Sequence, residues 1–155
     1  TMIPVRQYKA SMATIRRLGG FVPLGAYGLD PKTGAALCNW IGSDDPSAKW
    51  ASIPLNVLLP WMKPASVPHD LWWSGALYND GTRAHFVQSN GELRGNLDLL
   101  AEDSFGWAWP KLLRTKLRDA RHWEADKAHK VLMSDMCWEI WLKNAEIEPG
   151  PEVHG

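Results

Sequence analysis

His69 and Asp70 stand side by side just after a proline-rich stretch, and His122, Asp126 and His129 follow far downstream. An imidazole held by a carboxylate is the core of many hydrolytic sites, because the acid orients the ring and stabilises its charged form. Neighbours on a helix diverge by about 100°, so His69 and Asp70 do not form such a dyad with each other. Each needs its own partner. Asp126 is the candidate carboxylate for His69. In that pairing His69 takes a proton from water as general base and Asp126 holds the ring. Asp70, with Asp44 or Asp45 on a turn, supplies oxygens for a divalent cation that polarises the scissile group.

The downstream trio has its own logic. On a helix over residues 119 to 143, His122, Asp126 and His129 share one stripe, which runs on into Met133, Met136 and Ile140. Polar groups that continue an apolar face are partly buried. A buried carboxylate between histidines must be paired, hydrogen-bonded or metal-bound. His122 and His129 therefore join Asp70, Asp44 and Asp45 as candidate metal ligands. The plainer alternatives are histidines at a helix edge, served by water or by Asp119 and Glu124, and a His69-Asp70 pair that caps backbone amides. Other chemistries lack their residues. There is no Gly-x-Ser-x-Gly elbow, no glycine-rich phosphate loop and no His-Glu-x-x-His. The two cysteines, Cys38 and Cys137, are too few for a disulfide framework or a thiolate zinc site, and read as buried thiols.

The elements that must position these residues follow from pattern. Gln7 to Leu18 reads as a short helix stopped by Gly19-Gly20. Phe21 to Leu29 and Ala35 to Ile41 read as extended runs joined by the turn residues Asp30 to Gly34, which predicts a hairpin. Four prolines between Pro54 and Pro68 argue against a long helix there, although a short one fits Leu55 to Leu59. From Leu71 to Arg94 two patterns compete: a helix opening at His69, or a small β meander. In the meander Arg83 to Val87 is a strand between Asn79-Asp80-Gly81 and Ser89-Asn90-Gly91 turns. Asn96 to Ser104 reads as helix. Pro110 to Lys143 is expected to be the longest helical region, with a break near Arg121. The resulting expectation is an α+β fold: an N-terminal helix, small antiparallel β elements and a long C-terminal helix. Residues 1–147 form one domain and 148–155 a flexible tail.

Composition bounds the partners. The chain has 155 residues, 45% of them hydrophobic, and ten tryptophans, enough for a core and for an aromatic surface besides. Trp72 and Trp73 cannot both point inward from a strand, so some Trp surface is expected to face a groove, a partner or a lipid interface. Net charge is zero, which argues against general nucleic-acid binding. The basic run Lys111 to Arg121 is read as a solvated helix face or, more sharply, as a phosphate or anionic-lipid contact. No secretory leader or transmembrane segment is evident, and a cytoplasmic location is expected.

Three short motifs occur in order: Ala51-Ser52-Ile53-Pro54, then Val67-Pro68-His69-Asp70-Leu71-Trp72, then Glu124-Ala125-Asp126. The set resembles a family of small tailed-phage and prophage proteins with Ala-Ser-Val-Pro, His-Asp and Ala-Asp motifs. It departs from that pattern at Lys49-Trp50, Leu55 and Leu71-Trp72-Trp73, and Ser74 to Arg121 would be an insertion. The resemblance implies a phage context rather than an activity. His69, Asp70 and Asp126 also resemble, more loosely, the general base, calcium ligand and orienting acid of calcium-dependent His/Asp phospholipases. Two functions are thus expected. One is a phage-type soluble domain with a His/Asp site acting as a metal-assisted hydrolase. The other is a non-enzymatic binding or assembly protein, a structural accessory or an inhibitor of a host defence protein, that uses exposed Trp surface.

Overall fold

The computed structural model describes residues 7–39, 59–73 and 78–146. Helices carry the architecture. A short helix α1 (Met12–Arg17) is followed by α2 (Lys63–Trp73), α3 (Arg83–Glu102), α4 (Lys111–Leu132) and α5 (Asp135–Ala145). Among the described residues, extended structure is confined to strands of four, two and four residues: β1 (Gln7–Ala10), β2 (Gly28–Leu29) and β3 (Ala36–Asn39). Both outer strands pair antiparallel with β3. The expectation of an α+β fold is therefore corrected to an all-α one, with this small β patch as an appendage.

The reason lies in α3. The buried residues Phe86, Ser89, Asn90, Leu93, Asn96, Leu97 and Ala101 recur every three or four positions, the spacing of one helix face. Ser89-Asn90-Gly91 had the composition of a turn, but Ser89 and Asn90 are core-facing helical residues. Thr82 caps the helix by accepting a hydrogen bond from the His85 amide at 3.4 Å, and Asp80 in turn accepts from the Thr82 amide at 3.0 Å. The meander from Leu71 to Arg94 is thereby ruled out for its described part.

Helix α2 corrects a second expectation. It is buried over nearly its whole circumference, at Ala65, Ser66, Val67, Pro68, His69, Leu71, Trp72 and Trp73. A helix buried on nearly every side belongs at the centre of a bundle. Pro64 sits in the first turn, where no intrahelical N–H is needed. Pro68 lies inside the helix and removes one backbone bond. Trp72 and Trp73 both face the core, each about 1% exposed, because a helix inside a bundle has no outer face to give them. Trp73 meets Trp141 edge-on with ring centroids 5.5 Å apart, and Phe86 lies 5.8 Å from Trp73. Trp73 donates its indole N–H to the Ser89 hydroxyl at 3.0 Å. Met62, Leu93, Leu97, Ala125, Leu132 and Cys137 complete this core.

The C-terminal helical region breaks at Met133-Ser134, not at Arg121. Ser134 accepts from the Cys137 amide at 3.4 Å and so starts α5 with a side-chain cap. The N-terminal helix is shorter than expected, since Gln7 to Ala10 pair as a strand. At the hairpin, Asp30 accepts from the Lys32 amide and the Thr33 hydroxyl, and Gly34 closes the turn at φ +67, a backbone conformation that favours glycine. Asn96 of α3 clasps the end of α1, accepting from the Gly19 amide at 2.9 Å and donating to the Gly19 carbonyl at 2.8 Å. Residues 40–58 and the tail from 147 onward, including the Ala51-Ser52-Ile53-Pro54 motif, lie outside the described residues, as does the Cys38 side chain.

Candidate functional site

His69 faces inward from the middle of α2 and is only 6% exposed. Its ring rests against Trp73, centroids 4.9 Å apart, and its Nε2 lies 2.8 Å from the Asn90 side-chain oxygen on α3. Asn90 donates its amide to the Leu132 carbonyl at 3.1 Å. That fixes which end of the amide points where, so Nε2 of His69 carries the proton and donates. Burial pushes the imidazole pKa down to about 4 against a smaller upward pull from Asn90. The ring is therefore neutral near pH 7. Its observed partner is an amide, not an acid.

Asp126 has other partners. Arg94 donates to one of its oxygens at 2.8 Å, and Lys130 lies 3.0 Å from the other. The hydrogen bond from Lys130, then that from Arg94, hold this carboxyl below the usual range. The catalytic pairing of His69 with Asp126 expected from the sequence is thus not what either side chain engages. The two are linked only at one remove: Asn90, which serves His69, is one helical turn from Arg94, which serves Asp126.

The candidate metal ligands fall into a different arrangement. Nδ1 of His122 is 2.7 Å from Asp98, and its Nε2 faces Glu102. With a carboxylate at each nitrogen, the imidazolium is favoured and its pKa is raised, the Asp98 hydrogen bond contributing most. His129 moves the opposite way, lowered first by burial and then by the Arg94 charge. Asp70 is half-buried on α2, and Asp44 and Asp45 lie outside the described residues. Among the described residues no cluster of three or more His, Cys, Asp or Glu side chains is placed to hold a metal ion.

Asn90, Arg94, Asp98 and Glu102 line one face of α3. Leu132, Asp126 and His122 meet them from α4 in reverse order. This polar seam is what an antiparallel helix pair needs where its contact runs out to solvent. Charged groups at its edge are mutually neutralised and partly solvated, so the seam sets helix register more than it adds stability.

The seam ends at a loop with a different character. Arg114 donates to the Ala108 carbonyl at 3.2 Å, Arg118 donates to the Ser104 carbonyl at 2.9 Å, and Arg121 donates to the Ser104 hydroxyl. Arg121 also lies over the Phe105 ring at 4.4 Å and over Trp61 at 5.0 Å. Three arginines of the basic run thus clamp the α3–α4 loop rather than forming a solvated face. Phe105 is held at φ 62, a strained conformation for a residue with a side chain. Ala108 is fully buried at the centre of the loop. On either side of it Trp107 and Trp109 project outward, 79% and 84% exposed, followed by the exposed Leu112 and Leu113 on the first turn of α4. Lys111 within this knob and Lys116 just past it are exposed. The sequence signal for it was present in Trp107-Ala108-Trp109-Pro110-Lys111-Leu112-Leu113, an apolar run that no periodicity assigns to a core.

No family model, curated protein or solved structure matches the chain. No described helix is long and apolar enough to cross a membrane.

Proposed function

We propose that this chain is a non-enzymatic contact protein whose recognition surface is the Trp107–Leu113 knob. One observation carries this reading. Two indoles are held out in solvent by a loop that three arginines, a strained Phe105 and a buried Ala108 keep in place. Leaving such rings in water costs free energy that burial against a partner recovers. A preformed loop also spares the ordering cost of binding. Exposed tryptophans in this setting are the residue type that dominates recognition surfaces. The motif resemblance adds a context, an assembly accessory or host-directed inhibitor of a tailed phage acting in the cytoplasm.

A hydrolase centred on His69 has less to draw on. Its ring is sealed beside Trp73 and committed to Asn90, while Asp126 is engaged by Arg94 and Lys130.

A photocrosslinking amino acid placed singly at Trp107, Trp109, Leu112 and Leu113 tests the contact reading, with Gln88 and Lys127 as exposed controls. Adducts are expected from the four knob positions and not from the controls. They should also disappear when the remaining knob residues are alanine. Equal labelling at knob and control positions would overturn the proposal.

A further inference from the structure

The knob is not merely apolar. From Ser104 to Arg118 the chain contains no acidic residue and four cations, Lys111, Arg114, Lys116 and Arg118. The nearest acids in sequence are drawn elsewhere or lie beyond the knob. Asp103 is engaged by Arg17 at 2.6 Å, and Glu102 by His122. Asp119 lies more than one and a half turns past Leu113. In a chain whose net charge is zero, this one segment joins the most exposed aromatic residues among those described to an unbroken positive field.

Resting on the contact reading above, we infer that the occupant of the knob is the surface of an anionic lipid bilayer. Three features of the segment suit that partner. Indole rings settle at the headgroup level, where an apolar body and a polar N–H are both satisfied. Leu112 and Leu113 add aliphatic area that reaches the acyl boundary. Lys111 and Lys116 have flexible stems that carry their ammonium groups to phosphate oxygens while the stems lie against the apolar ring. The two lysines are the exposed cations, because Arg114 and Arg118 are committed to loop carbonyls. Even so, all four charges contribute to the local field. A protein partner with an acidic apolar pocket would use the same chemistry, but a knob built of two exposed rings and two leucines within seven residues offers a small tip rather than a broad face. A tip of that size suits insertion into an interface better than the area a stable protein–protein contact requires.

The test is co-sedimentation of the full chain with large vesicles. One set is pure phosphatidylcholine and the other an equal mixture of phosphatidylcholine and phosphatidylglycerol. Binding is expected to the mixed vesicles, with little to the neutral ones, and should weaken as salt rises. Replacing Lys111 and Lys116 together by Gln should weaken it by about fivefold per charge. Trp107→Ala with Trp109→Ala should abolish detectable binding with little change in the unfolding midpoint, since both rings are mostly solvent-exposed and Trp107 touches the loop through an edge contact with Phe105. Failure of the wild-type chain to pellet with anionic vesicles overturns the lipid assignment. So does equal binding to neutral vesicles, or binding that survives both substitutions. If vesicles fail but the knob positions still give specific protein adducts, the contact reading stands and only its lipid partner falls. If neither gives a signal, both fall.

Discussion

The Asn90 side chain joins three helices through two ends of one amide. Its oxygen accepts from His69 of α2 at 2.8 Å, and its nitrogen donates to the Leu132 carbonyl at the end of α4 at 3.1 Å. The same nitrogen lies 3.4 Å from the Met133 sulfur, at the junction with α5. Asn90 is fully buried, so water cannot replace either bond. Truncation to Ala leaves an imidazole N–H and a backbone carbonyl without their partner. Asn90→Ala is expected to cost about 3 kcal/mol of stability, read as a lowered urea midpoint. A loss within experimental error would show that the site relaxes and that the bonds are incidental.

The two histidines should give stability opposite slopes with pH. His69 has its folded pKa lowered to about 4 by burial, against about 6.5 in the unfolded chain. Between those values the unfolded state holds the extra proton, so stability is full above pH 6.5 and is lost as pH falls toward 4, by about 3 kcal/mol in total. His122 is raised, chiefly by Asp98. Its contribution is full below pH 6.5 and is lost as pH rises through its folded pKa. The unfolding midpoint against pH should therefore rise, pass a maximum and decline. His69→Gln keeps a donor for Asn90 but does not titrate, and should shrink the acid limb, leaving the part carried by His129, which burial also lowers. His122→Gln should flatten the alkaline limb. Identical profiles for all three chains would refute this assignment.

Arg94 is the only described partner bridging Asp98 and Asp126, at 3.2 and 2.8 Å. These side chains are about one-third exposed, so solvent screens the pairs. Arg94→Ala is expected to cost about 1 kcal/mol, less in high salt, and to raise the apparent pKa of Asp126 toward its ordinary value. Carboxyl-carbon NMR titration reads the second effect directly. An unmoved Asp126 would mean that Lys130 alone sets it.

Gly91 and Gly95 are exposed and helical, with nothing within 4 Å of where a Cβ would sit. Alanine at both should stabilise the protein by about 1 to 2 kcal/mol, because glycine costs up to 1 kcal/mol per helical site. The same change would be damaging if Ser89-Asn90-Gly91 were a turn with glycine at positive φ. The sign of the shift in thermal midpoint therefore tests the helical course of α3 directly.

Some of this was legible in the residues themselves. The turn at Asp30 to Gly34 pairs β2 with β3 because Asp, Thr and Gly satisfy that bend locally. The helical character of the region after Pro110 followed from good helix formers. So did the stripe on which His122, Asp126 and His129 lie. The α3 helix was obscured because two glycines, a serine and two asparagines weaken local propensity. Its burial stripe becomes visible only when Trp73, Leu132 and Trp141 are there to cover it.

What the sequence by itself determined was local: caps, turns, helix periodicity, and an apolar, acid-free run from Phe105 to Leu113. Tertiary structure decided which polar groups meet. His69 and Asp126 both found partners on α3, one turn apart, because α3 lies between the helices that carry them and offers Asn90 and Arg94 at the places where each side chain arrives. For His69 burial sets the choice, since its ring N–H has no way other than Asn90 to satisfy its hydrogen bond, and that depends on three helices packing at once.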